Sequence, residues 1–124
     1  FVLREARWQD TKNRQNSVEF DLSRPYDNDI SKEWVAKQRQ VIRVATDAYE
    51  WAVGNGIAKE QARAVLPEGN TISRLCVNGT LRSWIHYIDL RSSNGTQKEH
   101  MELAREIGHA ITEIFPMAKE FINE

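Results

Sequence analysis

Trp34, Gln38, Val41, Ala45, Ala48 and Ala52 recur at alternating spacings of four and three residues, the repeat that lines side chains along one face of an α-helix. This pattern constrains the fold more than any other in the chain. It predicts one long helix from about Ser31 to Val53, capped by Asp29 or Ser31 and stopped at Gly54-Asn55-Gly56, where glycine takes the left-handed conformation that closes a helix.

The flanking segments are shorter. Phe1 to Asn28 mixes polar residues with brief apolar alternations around Val18 and Phe20 and reads as loop, short helix or edge strand. Arg24-Pro25-Tyr26-Asp27-Asn28-Asp29 supplies the breakers that end it. Ala58 to Leu66 is a short helix closed by Pro67, with Arg63 near its C-terminal end. Thr71 to Val77 is β-branched and apolar enough for a strand, the best candidate in the chain, ended by Asn78-Gly79. A helix from Thr80 to Leu90 follows, with Leu81, Trp84, Ile85 and Ile88 as its apolar stripe, Arg82, His86 and Asp89 on other faces, and Arg91 at its end. After a break at Asn94-Gly95, Thr96-Gln97-Lys98-Glu99 has the pattern of a capping box. It opens a last long helix that buries Leu103, Ile107, Ala110, Ile111 and Ile114 and ends at Phe115 before Pro116, with a further turn over Met117 to Ile122. The expected fold is α+β, a mostly helical chain with a small antiparallel sheet, and 124 residues fit one domain over 1–124.

Composition excludes several classes of function. Seventeen Lys and Arg against eighteen Asp and Glu leave a net charge of -1, spread along the chain without the dense basic patch that phosphate neutralisation needs, so nucleic-acid binding is not expected. Cys76 is the single cysteine, which allows no internal disulfide; it reads as a buried structural thiol in a reduced compartment. No apolar run has the length of a membrane span, and a cytoplasmic location is expected. Asn78-Gly-Thr80 and Asn94-Gly-Thr96 match the glycosylation sequon and are read as turns.

Between Arg63 and Glu99 the sequence concentrates arginine, amide side chains and turns beyond what packing demands. The elements are Ala62-Arg63-Ala64-Val65-Leu66-Pro67, Val77-Asn78, Arg82-Ser83 with His86, Leu90-Arg91, and Gln97-Lys98-Glu99. In this order they resemble the flavin-dependent (ThyX-type) thymidylate synthases. The resemblance implies a ThyX-like fold and reductive methylation of dUMP to dTMP, with methylenetetrahydrofolate as methylene donor and NADPH reducing a bound FAD. It also implies a homotetramer with active sites between subunits. No protein nucleophile is needed, so the protein's task is to bind, orient and polarise.

By the same resemblance Arg63 contacts dUMP, for which the planar fork of donors on a guanidinium is suited. A surface ion pair with Glu60 or Glu68 is its structural alternative. Arg91 matches the arginine that binds the uracil and favours ionisation at N3, a fixed cation beside a developing anion; a cation at a helix C-terminus would also explain it. Asn78, Arg82 and His86 match the segment that holds FAD. Many members have Asn-x-Arg, whereas Gly79-Thr80-Leu81 separate Asn78 from Arg82 here, so either Asn78 or Thr80 takes the asparagine position. Gln97 and Glu99 have a capping role that accounts for them. No metal site is expected: Glu106-x-x-His109 is half of a di-iron motif whose second half is lacking.

The family's Arg-His-Arg-x-x-Ser signature is absent, and the chain opens at Phe1 without Met. The expectation is that this is the C-terminal portion of a longer protein and inactive alone. Two other readings compete: a helical assembly fragment that binds no ligand, and an all-helical nucleotide pyrophosphohydrolase using Glu99-x-x-Glu102 for Mg²⁺. The latter leaves Arg63, Asn78 and Arg91 unexplained.

Overall fold

The computed structural model describes residues 1–93 and 95–122. The chain forms a two-stranded ribbon, β1 (Arg7–Gln9) with β2 (Ser17–Glu19), and four helices: α1 (Pro25–Gly54), α2 (Lys59–Ala62), α3 (Leu81–Arg91) and α4 (Lys98–Ile114). Short 3-10 turns cover Arg63–Val65, Glu68–Asn70 and Pro116–Glu120. The α+β expectation holds: helix predominates and the sheet is small and antiparallel. Two compact units are present, one of residues 1–7 and 19–75, the other of residues 8–18 and 76–124.

In the first unit α1 starts six residues before the expected Ser31, because Pro25 occupies its first turn, where the missing amide costs nothing and the fixed φ favours the helix. Arg24 is the N-cap and provides no side-chain cap, so neither Asp29 nor Ser31 has that role. Asp27 sits buried in the first turn and accepts the Asp21 amide at 3.0 Å. At the other end the amides of Asn55 and Gly56 fold back onto carbonyls of the last turn, and Gly56 takes φ +84°.

Gln38, on the predicted stripe, is a buried polar junction. Its Oε1 accepts the Arg4 amide at 2.7 Å and Asn70 Nδ2 at 2.9 Å, while its Nε2 donates to the carbonyls of Arg4 at 2.8 Å and Trp34 at 3.4 Å. Val2 and Asn70 exchange two further bonds, and Arg4 Nε donates to the Gly69 carbonyl. The start of the chain and the turn after Pro67 are thus fastened to α1 through one amide whose hydrogen-bonding capacity is filled. Ala45 and Ala52 are buried beside this line, whereas Trp34 and Val41 remain exposed.

In the second unit Thr80 caps α3, its hydroxyl accepting the Ser83 amide at 3.2 Å. Ile88, fully buried, packs on α4 at Gly108, where a Cβ would stand 3.4 Å from Ile88 Cγ2, and Ala104, one turn earlier on α4, is fully buried too. Small residues on one helix facing a branched side chain on the other permit close approach. Trp84 meets Tyr87 edge to face, and the Tyr87 hydroxyl shares a 2.8 Å hydrogen bond with His100 Nε2.

Four expectations need correction. Thr71 to Val77 is no strand: it is irregular and exposed from Ile72 onward, and residues 72–79 enter no backbone hydrogen bond among the described residues. β-Branched composition suits a pleated surface but does not provide the neighbouring strand a sheet requires. Cys76 is accordingly exposed, not a buried thiol. The capping box is not formed as such, since α4 opens at Lys98 with Gln97 as N-cap and no side-chain cap. Finally, the buried line of α4 runs through Ala104 and Gly108 with Ile107 and Ile111 half-buried, leaving Leu103, Ala110 and Ile114 exposed. The break expected at Asn94-Gly95 involves Asn94, which lies outside the described residues.

Candidate functional site

Arg63 belongs to the first unit, where it ends α2 and begins the 3-10 turn that runs to Val65. Its side chain is exposed and forms no ion pair with Glu60 or Glu68 among the described residues. Asn78, Arg82, His86 and Arg91 belong to the second unit.

Asn78 lies in the exposed segment leading into α3, and Arg82, His86 and Arg91 are on that helix, all exposed. Arg82 and His86 are four residues apart and stand one above the other on a solvent-facing side of α3. Arg91 follows His86 by five residues, which carries it roughly 140° further around the helix. The helix therefore pairs Arg82 with His86 but does not place Arg91 on their face. No side chain of the three makes a hydrogen bond or ion pair among the described residues, leaving a guanidinium and an imidazole adjacent with their donors uncommitted.

Thr80 and Asn78 differ in availability. The Thr80 hydroxyl is engaged twice, by the Ser83 amide and by the Ser83 hydroxyl at 2.9 Å. Asn78 has no hydrogen bond among the described residues, and between them Gly79 lies so close to the Trp84 indole that a Cβ would come within 3.3 Å of its Nε1. The additional glycine lets the chain pass the indole on its way into the helix.

A cleft of about 870 Å³ opens in the same unit, lined from α3, α4 and the last turn by Ile88, Ser92, Arg105, His109, Glu113 and Lys119 among others. None of the four expected site residues of this unit lines it. His109 is part of it, but among the described residues no group of three or more His, Cys, Asp and Glu side chains gathers as a metal site would require.

Two residues with a bearing on the site were not singled out by sequence reasoning. Asn13, in the loop between β1 and β2, donates to the Gly95 carbonyl, and Arg105 on α4 donates to the Ser92 carbonyl just past Arg91. Asp10 organises the former loop. Its carboxylate accepts the amides of Lys12 and Asn13 and the side chain of Asn16, and these bonds, that of Lys12 foremost, hold its pKa below the usual carboxylate value.

An exposed guanidinium and imidazole one turn apart on α3 offer uncommitted donors to an anionic or polar ligand. The family model described as thymidylate synthase complementing protein matches residues 3–117, and the chain belongs to that family. It is 44% identical over 117 residues to a probable flavin-dependent thymidylate synthase of Paramecium bursaria Chlorella virus 1, an alignment covering 94% of this chain and 49% of the relative. It is 48% identical over 102 residues to a flavin-dependent thymidylate synthase of Synechocystis sp., covering 81% of this chain and 44% of the relative. A flavin-dependent thymidylate synthase of Kosmotoga olearia is 28% identical over 125 residues, covering 99% and 51%. The chain thus spans about half the length of the curated relatives it matches. Membership of this family sets aside the pyrophosphohydrolase reading.

Proposed function

We propose that this chain carries part of the flavin and nucleotide sites of a flavin-dependent thymidylate synthase, which converts dUMP to dTMP with methylenetetrahydrofolate and NADPH. The observation that carries the reading is the pair Arg82 and His86, adjacent on α3 and committed to nothing else among the described residues. When bound, FAD supplies the hydride that completes the new methyl group. Arg82 and His86 hold its polar edge or its phosphates through charge-assisted hydrogen bonds. Asn78 takes the family's asparagine position, because the Thr80 hydroxyl is already engaged in capping α3.

Arg63 binds dUMP, and Arg91 binds the uracil and stabilises negative charge at N3, which raises the nucleophilicity of C5. Both units belong, on this reading, to one catalytic domain. The exposed Trp34, Val41, Val44 and Trp51 along α1 support an assembly in which such surface is covered by other subunits. A homotetramer with active sites at its interfaces is the assembly proposed. No described helix is long and apolar enough to cross a membrane, and the proposed location is cytoplasmic.

The full-length protein should purify with bound flavin, its visible absorbance bleached by NADPH in the presence of dUMP. A protein without flavin that also fails to gain thermal stability from added dUMP would instead support a non-catalytic assembly fragment of the same fold.

A further inference from the structure

We propose that Asn13 and Arg105 are positioning residues for Arg91, holding the connection between α3 and α4 at Gly95 and at Ser92. What Arg91 does rests on the functional reading above; what holds it rests on geometry within the second unit.

Arg91 is the last residue of α3, and the chain runs from Ser92 to Gln97 before α4 opens. The described residues of this connection, 92–93 and 95–97, have no regular structure, and such a stretch depends on side chains from elsewhere to keep its shape. Ser92 still donates its amide to the Ile88 carbonyl at 2.9 Å, so the helical path continues one residue past Arg91. The Ser92 carbonyl would then be left over at the helix end, and Arg105 Nη2 donates to it at 3.3 Å. That bond is charge-assisted and sets a cation at the C-terminal end of α3, where the peptide dipoles favour one.

Further along, Asn13 Nδ2 donates to the Gly95 carbonyl at 3.3 Å, across 82 residues of sequence. Gly95 has φ +97°, a conformation that favours glycine, and a Cβ there would stand 2.9 Å from Asn13 Nδ2, so the Asn13 side chain would have to shift. Asn13 arrives with its amide already oriented: Oδ1 accepts the Gln15 amide at 3.0 Å, and its backbone is held by Asp10. The two donors come from different elements and bracket the residues that follow Arg91. Neither bonds Arg82 or His86 among the described residues, so releasing them should disturb the uracil arginine and spare the flavin ligands.

The test uses the full-length protein with four substitutions. Asn13→Asp keeps the acceptor for Gln15 and removes the donor, Gly95→Ala displaces Asn13, Arg105→Ala removes the second donor, and Arg105→Lys returns a cationic one. Amide hydrogen exchange over residues 92–97, kcat/KM for dUMP and flavin content are measured on each. The first three should speed exchange in the connection and lower kcat/KM roughly tenfold or more, with flavin content unchanged and Arg105→Lys recovering most of the loss. Unchanged exchange overturns the clamp. Faster exchange with unchanged kcat/KM overturns the link to Arg91, as does a loss of flavin in step with activity, which would mark general loosening. A wild-type protein that makes no dTMP refutes the functional reading and Arg91's role with it, while exchange alone still decides whether the two side chains hold the connection.

Discussion

The two units of this chain are held by different physics. In the first, Gln38 spends all its hydrogen-bonding capacity on two chain segments and its own helix, so a buried amide fixes where residues 2–4 and 69–70 lie. In the second, Ile88 packs against Gly108 between α3 and α4, and shape does the fixing. A polar junction is sensitive to the loss of a partner, because a released donor or acceptor that water does not fully reach goes unsatisfied. A packed contact loses stability in proportion to the volume removed.

The comparison can be broken by substitution. Ile88→Ala should have the largest effect, about 2–5 kcal/mol from lost burial and the cavity left behind, read from denaturant unfolding together with faster amide exchange in α3 and α4. A loss well under 1 kcal/mol would mean that the helices close over the gap and that the contact is not what holds them. Gln38→Ala should cost less, about 1–2 kcal/mol, by leaving the part-buried Arg4 amide without its acceptor and the Asn70 side chain with only the Val2 carbonyl. Its signature is faster exchange at Arg4, not in α4. An apolar replacement that proved neutral would show that the junction orders the first unit without stabilising it.

The smallest effect concerns acid. The Asp10 pKa is lowered chiefly by the Lys12 amide, then by Asn16 and Asn13, so the folded loop prefers the carboxylate. The stabilisation is therefore present above the ordinary Asp pKa and lost as pH falls through the depressed folded value. Resonances of the 10–16 loop should shift on acidification below the normal carboxylate range, and Asp10→Asn should remove that transition.

Much of this architecture was legible from residue order, for identifiable reasons. The three-four repeat of α1 survives because helix hydrogen bonds are local, and the Arg82 and His86 spacing survives for the same cause. The early start of α1 is not legible in the pattern because Pro25, within a run of turn-forming residues, looks like a breaker, although proline in a first helical turn is an initiator. The strand at Thr71–Val77 failed because sheet formation depends on a partner that composition cannot show. Gln38 stood in an apolar stripe, and that polar intrusion was itself the signal of a buried junction. The contact of Asn13 with Gly95 left no trace in local pattern, since its two ends lie 82 residues apart.

What most directly tests whether α3 presents a flavin-binding face is the flavin content of the full-length protein carrying Arg82→Ala together with His86→Ala. Loss of bound flavin with far-ultraviolet circular dichroism and dUMP binding preserved is the expected result. Flavin retained at the wild-type ratio would contradict the account, because the exposed pair on which it depends would then be ordinary solvated surface.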